Sequence, residues 1–210
     1  MKQPAITIID YGMGNICSVI NALEYLGSHA VLSDDPDQIR SAPYLILPGV
    51  GSFRKAMEAL RETGIDTAIR SAACDHRAKI LGICLGMQLL GSHSTEDGDT
   101  PGLGLVPNRV KLFTSSDLKG NRIPHVGYNS VRFSDHRGLF HGIPDNAFFY
   151  FNHSYRMDID GFTGRSATCT YGIEFLAAFE IDNICGTQFH PEKSQSNGLL
   201  LLKNFLEFPC

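Results

Sequence analysis

In the first half of the chain, apolar runs of strand length alternate with segments whose apolar residues recur at helical spacing, and this order admits few architectures. Residues 5–10 form an apolar run ending in Tyr11-Gly12-Met13-Gly14. Ile16, Val19, Ile20, Leu23 and Leu26 then repeat at helical spacing, with Gly27 as the stop. Residues 29–32 predict a second short strand. Asp35-Pro36 has the cap-and-proline start of a short helix through Ile39, and residues 44–47 predict a third strand. Helical stretches over 53–62 and 65–73 precede a fourth strand over 79–83. Apolar strands separated by helices imply an open, mostly parallel sheet flanked by helices, a flavodoxin-like α/β fold whose ligands gather beyond the carboxyl ends of the strands.

The second half changes character. Residues 106–113, 130–133, 147–157 and 174–181 are β-like and separated by turns rich in Gly, Pro and Asn, which predicts antiparallel strands added to the sheet's edge. Residues 184–189 read as a strand delivering His190. Residues 194–207 close the chain as a helix with Leu199, Leu202, Phe205 and Leu206 on its inner face. At 210 residues, 43% hydrophobic and 19% charged, with no repeat or linker, the chain fits a single domain over 1–210.

A net charge of only −4 without a Lys/Arg block or acidic tail argues against nucleic acid or a membrane surface as partner, leaving small molecules and proteins. Met1-Lys2-Gln3-Pro4 leads straight into the first strand with no signal-peptide core, so a cytoplasmic protein is expected. The six cysteines (17, 74, 84, 169, 185 and 210) contain no C-x-x-C, and the eight histidines show no paired ligand spacing, so reduced thiols and no metal are expected. Gly12-x-Gly14 lacks the third glycine of a dinucleotide loop, and no cofactor is expected.

One cysteine stands apart. Gly82-Ile83-Cys84-Leu85-Gly86 lies between an apolar strand and an apolar helix, the pattern of a strand-to-helix elbow in which the nucleophile occupies a cramped turn and its neighbours must be small. The first amides of the next helix point back at the sulfur, where they can stabilise a thiolate and later an oxyanion. About a hundred residues on, the chain reads Gln188-Phe189-His190-Pro191-Glu192-Lys193. On a strand, His190 and Glu192 would share a face and meet in a hydrogen bond. A nucleophile, a base and a carboxylate make a site for acyl transfer. A buried cysteine is ordinarily an inert hydrophobe, and that reading is kept for Cys17, Cys74, Cys169, Cys185 and Cys210. His29, His76, His93, His136 and His141 are read as loop or element-end residues.

Four segments in order, Leu47-Pro48-Gly49-Val50-Gly51-Ser52-Phe53, Gly82 to Leu90, Pro124-His125-Val126-Gly127-Tyr128-Asn129 and Gly186 to Ser194, resemble the class I (triad) glutamine amidotransferases. In local wording they are similar to the glutaminase subunits of imidazole glycerol phosphate synthases. The resemblance implies a Cys84, His190 and Glu192 triad that hydrolyses glutamine to glutamate and ammonia. It assigns the oxyanion donors to the backbone N–H groups of Val50 and Leu85. It also implies glutamine-binding roles for Gly49, Gly51, Gln88, Glu96 and the backbone of His153, Ser154 and Tyr155, with Glu96 meeting the substrate ammonium. Glycines at 49 and 51 are expected to give the Val50 loop backbone angles closed to other residues.

The implied partner is a (β/α)8-barrel synthase in a heterodimer, which adds the ammonia to a ribonucleotide, giving imidazole glycerol phosphate and an aminoimidazole carboxamide ribonucleotide. The family usually carries tryptophan at Tyr128 and valine at Asn152, both in segments that by resemblance face the ammonia exit and the partner and are expected to stay clear of the triad chemistry. The acceptor stays open between that synthase and enzymes aminating nucleotide sugars. A stand-alone Cys-His-Glu hydrolase and a non-catalytic binding subunit are the other readings, and an exposed apolar surface at the sheet's carboxyl edge would favour a docking partner over stand-alone work.

Overall fold

The computed structural model describes residues 5–208; Met1-Lys2-Gln3-Pro4 and Cys210 lie outside the described residues. Five strands, β1 (Ile6–Ile9), β2 (Ala30–Ser33), β3 (Tyr44–Leu47), β4 (Lys79–Ile83) and β13 (Ile184–Thr187), run parallel in the order β2-β1-β3-β4-β13. Their side chains alternate between two apolar layers. Ile6, Ile8, Ile46, Leu81 and Ile83 face one side, packing with helix α1 (Ile16–Tyr25) and the closing helix α7 (Gln195–Glu207). Ile9, Leu45, Leu47 and Ile80 face the other, against α2 (Pro36–Ser41), α3 (Phe53–Glu62) and α4 (Ile65–Cys74). Each such Leu or Ile contributes about 1.5–3 kcal/mol by leaving water. Both faces being covered is why β1, β3 and β4 read as apolar runs rather than as alternation, whereas the edge strand β2 leaves Val31 and Leu32 exposed.

Beyond β13 the sheet turns antiparallel at β12 (Ile173–Ile181), from which two branches leave. One passes through β10 (Tyr155–Met157) and β7 (Arg109–Leu112) to the short β5 (His93–Ser94) and β6 (Thr100–Pro101). The other passes through β11 (Arg165–Tyr171) to a ribbon of β8 (His125–Phe133) and β9 (Ala147–His153). The ribbon alternates cleanly. His125, Val131, Phe149, Phe151 and His153 point into the core, while Val126, Tyr128, Phe148 and Asn152 are exposed.

The expected antiparallel additions are present, with some differences in extent. The expected 147–157 stretch is two strands, because the chain turns at Ser154 and its halves join different branches. The 130–133 stretch is the end of a longer β8 that begins at His125, and β11 was not anticipated. In β11, Thr, Ser and Arg alternate with Ala167 and Cys169, too weak a contrast to register as a strand. No helix among the described residues is long and apolar enough to cross a membrane.

Candidate active site

Cys84 closes β4 and opens α5 (Leu85–Leu89) with φ 55° and ψ −108°, a conformation L-residues rarely adopt. Close packing holds it there. A Cβ on Gly82 would lie 2.7 Å from the Gly86 carbonyl, and one on Gly86 would lie 1.8 Å from the Leu47 carbonyl oxygen, so α5 rests directly on β3 and β4. The Cys84 N–H donates to Thr187 O at 2.7 Å, tying the elbow to the strand that leads to His190. With five residues, α5 offers the sulfur individual N–H groups rather than a sizeable helix dipole.

His190 follows β13 and comes to the same cavity as Cys84. Its Nδ1 donates to Glu192 Oε1 at 2.8 Å, both side chains being almost wholly buried. The contact does not use strand geometry. The strand ends at Thr187, and Pro191–Lys193 form a 3₁₀ turn that curls Glu192 under the imidazole. Burial works against a charged ring. Hydrogen bonds to Cys84 and Glu192, with their negative charge, outweigh it and raise His190 to about 9. Ser194 braces the turn, donating to His190 O at 2.6 Å and accepting from the Tyr150 N–H at 2.9 Å.

A cavity of about 330 Å³ opens over the sulfur, lined by Val50, Gly51, Leu85, Gln88, Glu96, Asn152, His153, Ser154, Tyr155 and His190 among others. The resemblance-derived residues therefore converge, except that Glu192 stands behind His190 and Gly49 beneath the loop. Gly51 has φ 101°, as the loop expectation requires. Gly49 does not have a positive φ; a Cβ there would lie 2.6 Å from Tyr11 Oη, so its smallness serves close packing. Tyr11, which sequence reasoning passed over, donates its hydroxyl to Pro48 O at 2.9 Å and anchors this loop. Burial, then the negative charge of Cys84, hold that hydroxyl protonated.

Glu96 lines the cavity and accepts the Phe53 N–H at 2.8 Å through Oε2. Burial raises its pKa, the Phe53 N–H opposes this, and Asp97 adds to it. Gln88 spends both amide hydrogens internally, on Tyr155 O and Gln188 Oε1, each at 2.9 Å, so it can meet a ligand only as an acceptor. The carbonyls of Ser154 and Tyr155 are likewise engaged, by Phe113 N and by Gln88 and His153, leaving this segment N–H and hydroxyl groups to offer. Asn152, expected to stay clear of the triad, reaches it through its backbone: the carbonyl stands 3.8 Å from Cys84 Sγ. Tyr128 donates its hydroxyl to Lys193 O at 2.6 Å, beside Glu192.

The family profile described as glutamine amidotransferase class-I matches residues 7–208. The chain belongs to the class-I glutamine amidotransferases. It is 47% identical over 202 residues to the imidazole glycerol phosphate synthase subunit HisH of Moorella thermoacetica, covering 96% of this chain and 94% of that one. It is 46% identical to the HisH subunit of Chlorobaculum tepidum, covering 96% and 98%. A chain of the Thermotoga maritima PurLQS structure superposes with a TM-score of 0.73 at 20% identity, covering 97% and 98%, a likeness of fold. The enzyme is thus a glutamine amidotransferase of the HisH type.

Two further histidines of the amidotransferase lie buried beside the cavity. His125 Nδ1 and His153 Nε2 are 2.9 Å apart; burial lowers His125 to about 4, and burial with neighbouring His125 lowers His153 to about 3. Their linkage to folding is opposite in sign to that of His190. His190 stabilises fully below about 6.5, the unfolded value, and that contribution is lost as pH rises through about 9. The neutral pair stabilises above about 6.5, and its contribution is lost as pH falls toward about 4 and about 3. Unfolding free energy should therefore peak near pH 6.5 and fall by several kcal/mol on either side, on the order given by about 1.4 kcal/mol per pH unit. Urea titrations from pH 4 to 9 test this, and a flat profile would contradict it.

Proposed function

We propose that the chain, acting as one catalytic domain, hydrolyses glutamine through a Cys84 thioester and passes the ammonia to a (β/α)8-barrel synthase partner that makes imidazole glycerol phosphate. One observation carries the reading. A cysteine strained at an elbow shares a cavity of substrate size with a histidine that a buried glutamate orients. His190 takes the thiol proton, the thiolate attacks the side-chain carbonyl, and the imidazolium protonates the departing ammonia; water, activated by the same base, then hydrolyses the thioester. The N–H groups of Leu85 and Val50 receive the two successive oxyanions. His190, held at about 9, is basic enough to hold the proton it takes.

The partner reading is supported by the ribbon. Val126, Tyr128 and Phe148 are 54, 45 and 56% exposed on one face of β8–β9, where Val126 pairs with the cavity-lining Asn152, and the cavity-lining Val50 is 43% exposed. An apolar face so placed suits docking more than stand-alone hydrolysis. The names of the HisH relatives, subunits of imidazole glycerol phosphate synthase, point to the same acceptor.

The test is glutamate release by the purified chain, alone and with the histidine-pathway barrel subunit of the same organism, with and without its ribonucleotide acceptor. Strong activation by the loaded partner supports the reading. No activation, with Cys84 still labelled by a glutamine-mimicking electrophile, keeps the glutaminase and moves the ammonia to another consumer, such as a nucleotide-sugar enzyme.

Glu96 gives a separate prediction. Its free carboxylate oxygen is proposed to receive the substrate ammonium while the other holds Phe53. Glu96→Gln keeps an acceptor for the Phe53 N–H and removes the charge, so KM for glutamine should rise about 10- to 100-fold with kcat and melting nearly unchanged. An unchanged KM would remove Glu96 from the substrate site.

A further inference from the structure

Gln188 lies just past β13, fully buried, with its backbone N–H on Ala177 O at 2.7 Å. Its side chain touches two groups. Oε1 is 2.9 Å from Gln88 Nε2, and Nε2 is 3.8 Å from Cys84 Sγ. Chemistry dictates which end faces the sulfur. The Tyr155 carbonyl can only accept, so the Gln88 group 2.9 Å from it must be the NH₂. The same NH₂ meets Gln188, whose facing atom must then be the oxygen, leaving the Gln188 NH₂ turned to Cys84. A flipped amide would set two donors against each other at 2.9 Å in a dry interior, at the cost of an unmade buried hydrogen bond.

The acceptor that fixes this order is itself held from a second side. Tyr155 O also takes a hydrogen bond from His153 Nδ1 at 2.7 Å; His153 Nε2 accepts from His125 Nδ1, and His125 Nε2 accepts from Asn129 Nδ2, each at 2.9 Å. With both rings neutral, every proton in this string has one place to be. Tyr155 O cannot turn away from Gln88 without breaking it.

We propose that the Gln188 carboxamide is a hydrogen-bond donor to the Cys84 thiolate, aimed at the sulfur by Gln88 and the Tyr155 carbonyl. The proposal rests on Cys84 being the nucleophile. Gln188 transfers no proton; His190 still takes the one that leaves the thiol. An amide N–H bonds strongly to a thiolate and weakly to a thioester sulfur, so the donor favours the sulfur before attack and again as leaving group when the thioester breaks.

The experiment is alkylation of the full chain by iodoacetamide from pH 5 to 10, with modified cysteines resolved by peptide mass spectrometry. The exposed Cys17 and Cys74 serve as internal references. In Gln188→Met the Cys84 alkylation profile should move to higher pH and its rate at pH 7 fall about tenfold, with the Cys17 and Cys74 profiles unmoved. Gln88→Met, which leaves Gln188 in place but releases its orientation, should shift Cys84 in the same direction by less. It also serves as the variant if Gln188→Met does not fold. A folded variant whose Cys84 profile matches wild type overturns the proposal. If Cys84 in the wild type takes no label while Cys17 and Cys74 do, the nucleophile reading itself fails, and the proposal with it.

Discussion

Cys84→Ala is expected to lower partner-activated glutamine hydrolysis by about 10⁴-fold or more, because it removes the one thiol that lines the cavity among the described residues, the proposed nucleophile. His190→Ala should cost about as much, and the double variant little more than either, since base and nucleophile act as a unit. The substitution leaves the fold untouched. The Cys84 N–H on Thr187 and the crowded glycines around it are backbone features that alanine keeps, so melting should stay close to wild type. Glutamate release at saturating glutamine, followed by a coupled dehydrogenase assay, decides the matter. Residual turnover above a tenth of wild type would mean the nucleophile lies elsewhere.

The largest structural effect is expected at Gly86. An added Cβ would fall 1.8 Å from the oxygen and 2.8 Å from the carbon of the Leu47 carbonyl, which is backbone of a central strand and not the far end of a flexible side chain. Either β3 or α5 must move, and the packing on both faces of the sheet resists it. Gly86→Ala should cost more than about 3 kcal/mol, lowering the melting temperature by about 10 °C or more or abolishing soluble protein. Gly27→Ala is the matched control. It has φ 76° but nothing within 4 Å of an added Cβ, so only about 1 kcal/mol of backbone strain is expected. Equal melting of the two variants would show that close approach is not what Gly86 provides.

The parallel half of the sheet was legible because its inner strands β1, β3, β4 and β13 are buried on both faces, which writes the apolar run directly into the sequence. Residues 44–47 and 79–83 matched their strands to the residue. The antiparallel half was less legible. Apart from β12, its strands have one wet face, and β11 sets only Ala167 and Cys169 as buried residues against Ser166, Thr168 and Thr170. The other cavity residues, Val50, Leu85, Gln88, Glu96 and residues 153–155, came from the family resemblance that the four motifs carry. What tertiary contact alone decides was not in the sequence: Tyr11 reaching Pro48, Ser194 bridging His190 and Tyr150, and the 3₁₀ turn that replaces a strand under His190. Gln188 stood in plain view beside His190, but its partner Gln88 is a hundred residues away, and nothing local marks the pairing.

The place of β13 bears on how the molecule is made. This strand sits in the middle of the sheet, between β4 and β12, yet it is the last to leave the ribosome. Until it arrives, β4 and β12 each present an unpaired edge that invites wrong partners. Cys84 is synthesised long before His190, its proposed base. On the proposed mechanism, a nascent or truncated chain ending before Ile184 carries an unactivated thiol, and a single late insertion both seals the sheet and brings His190 to it.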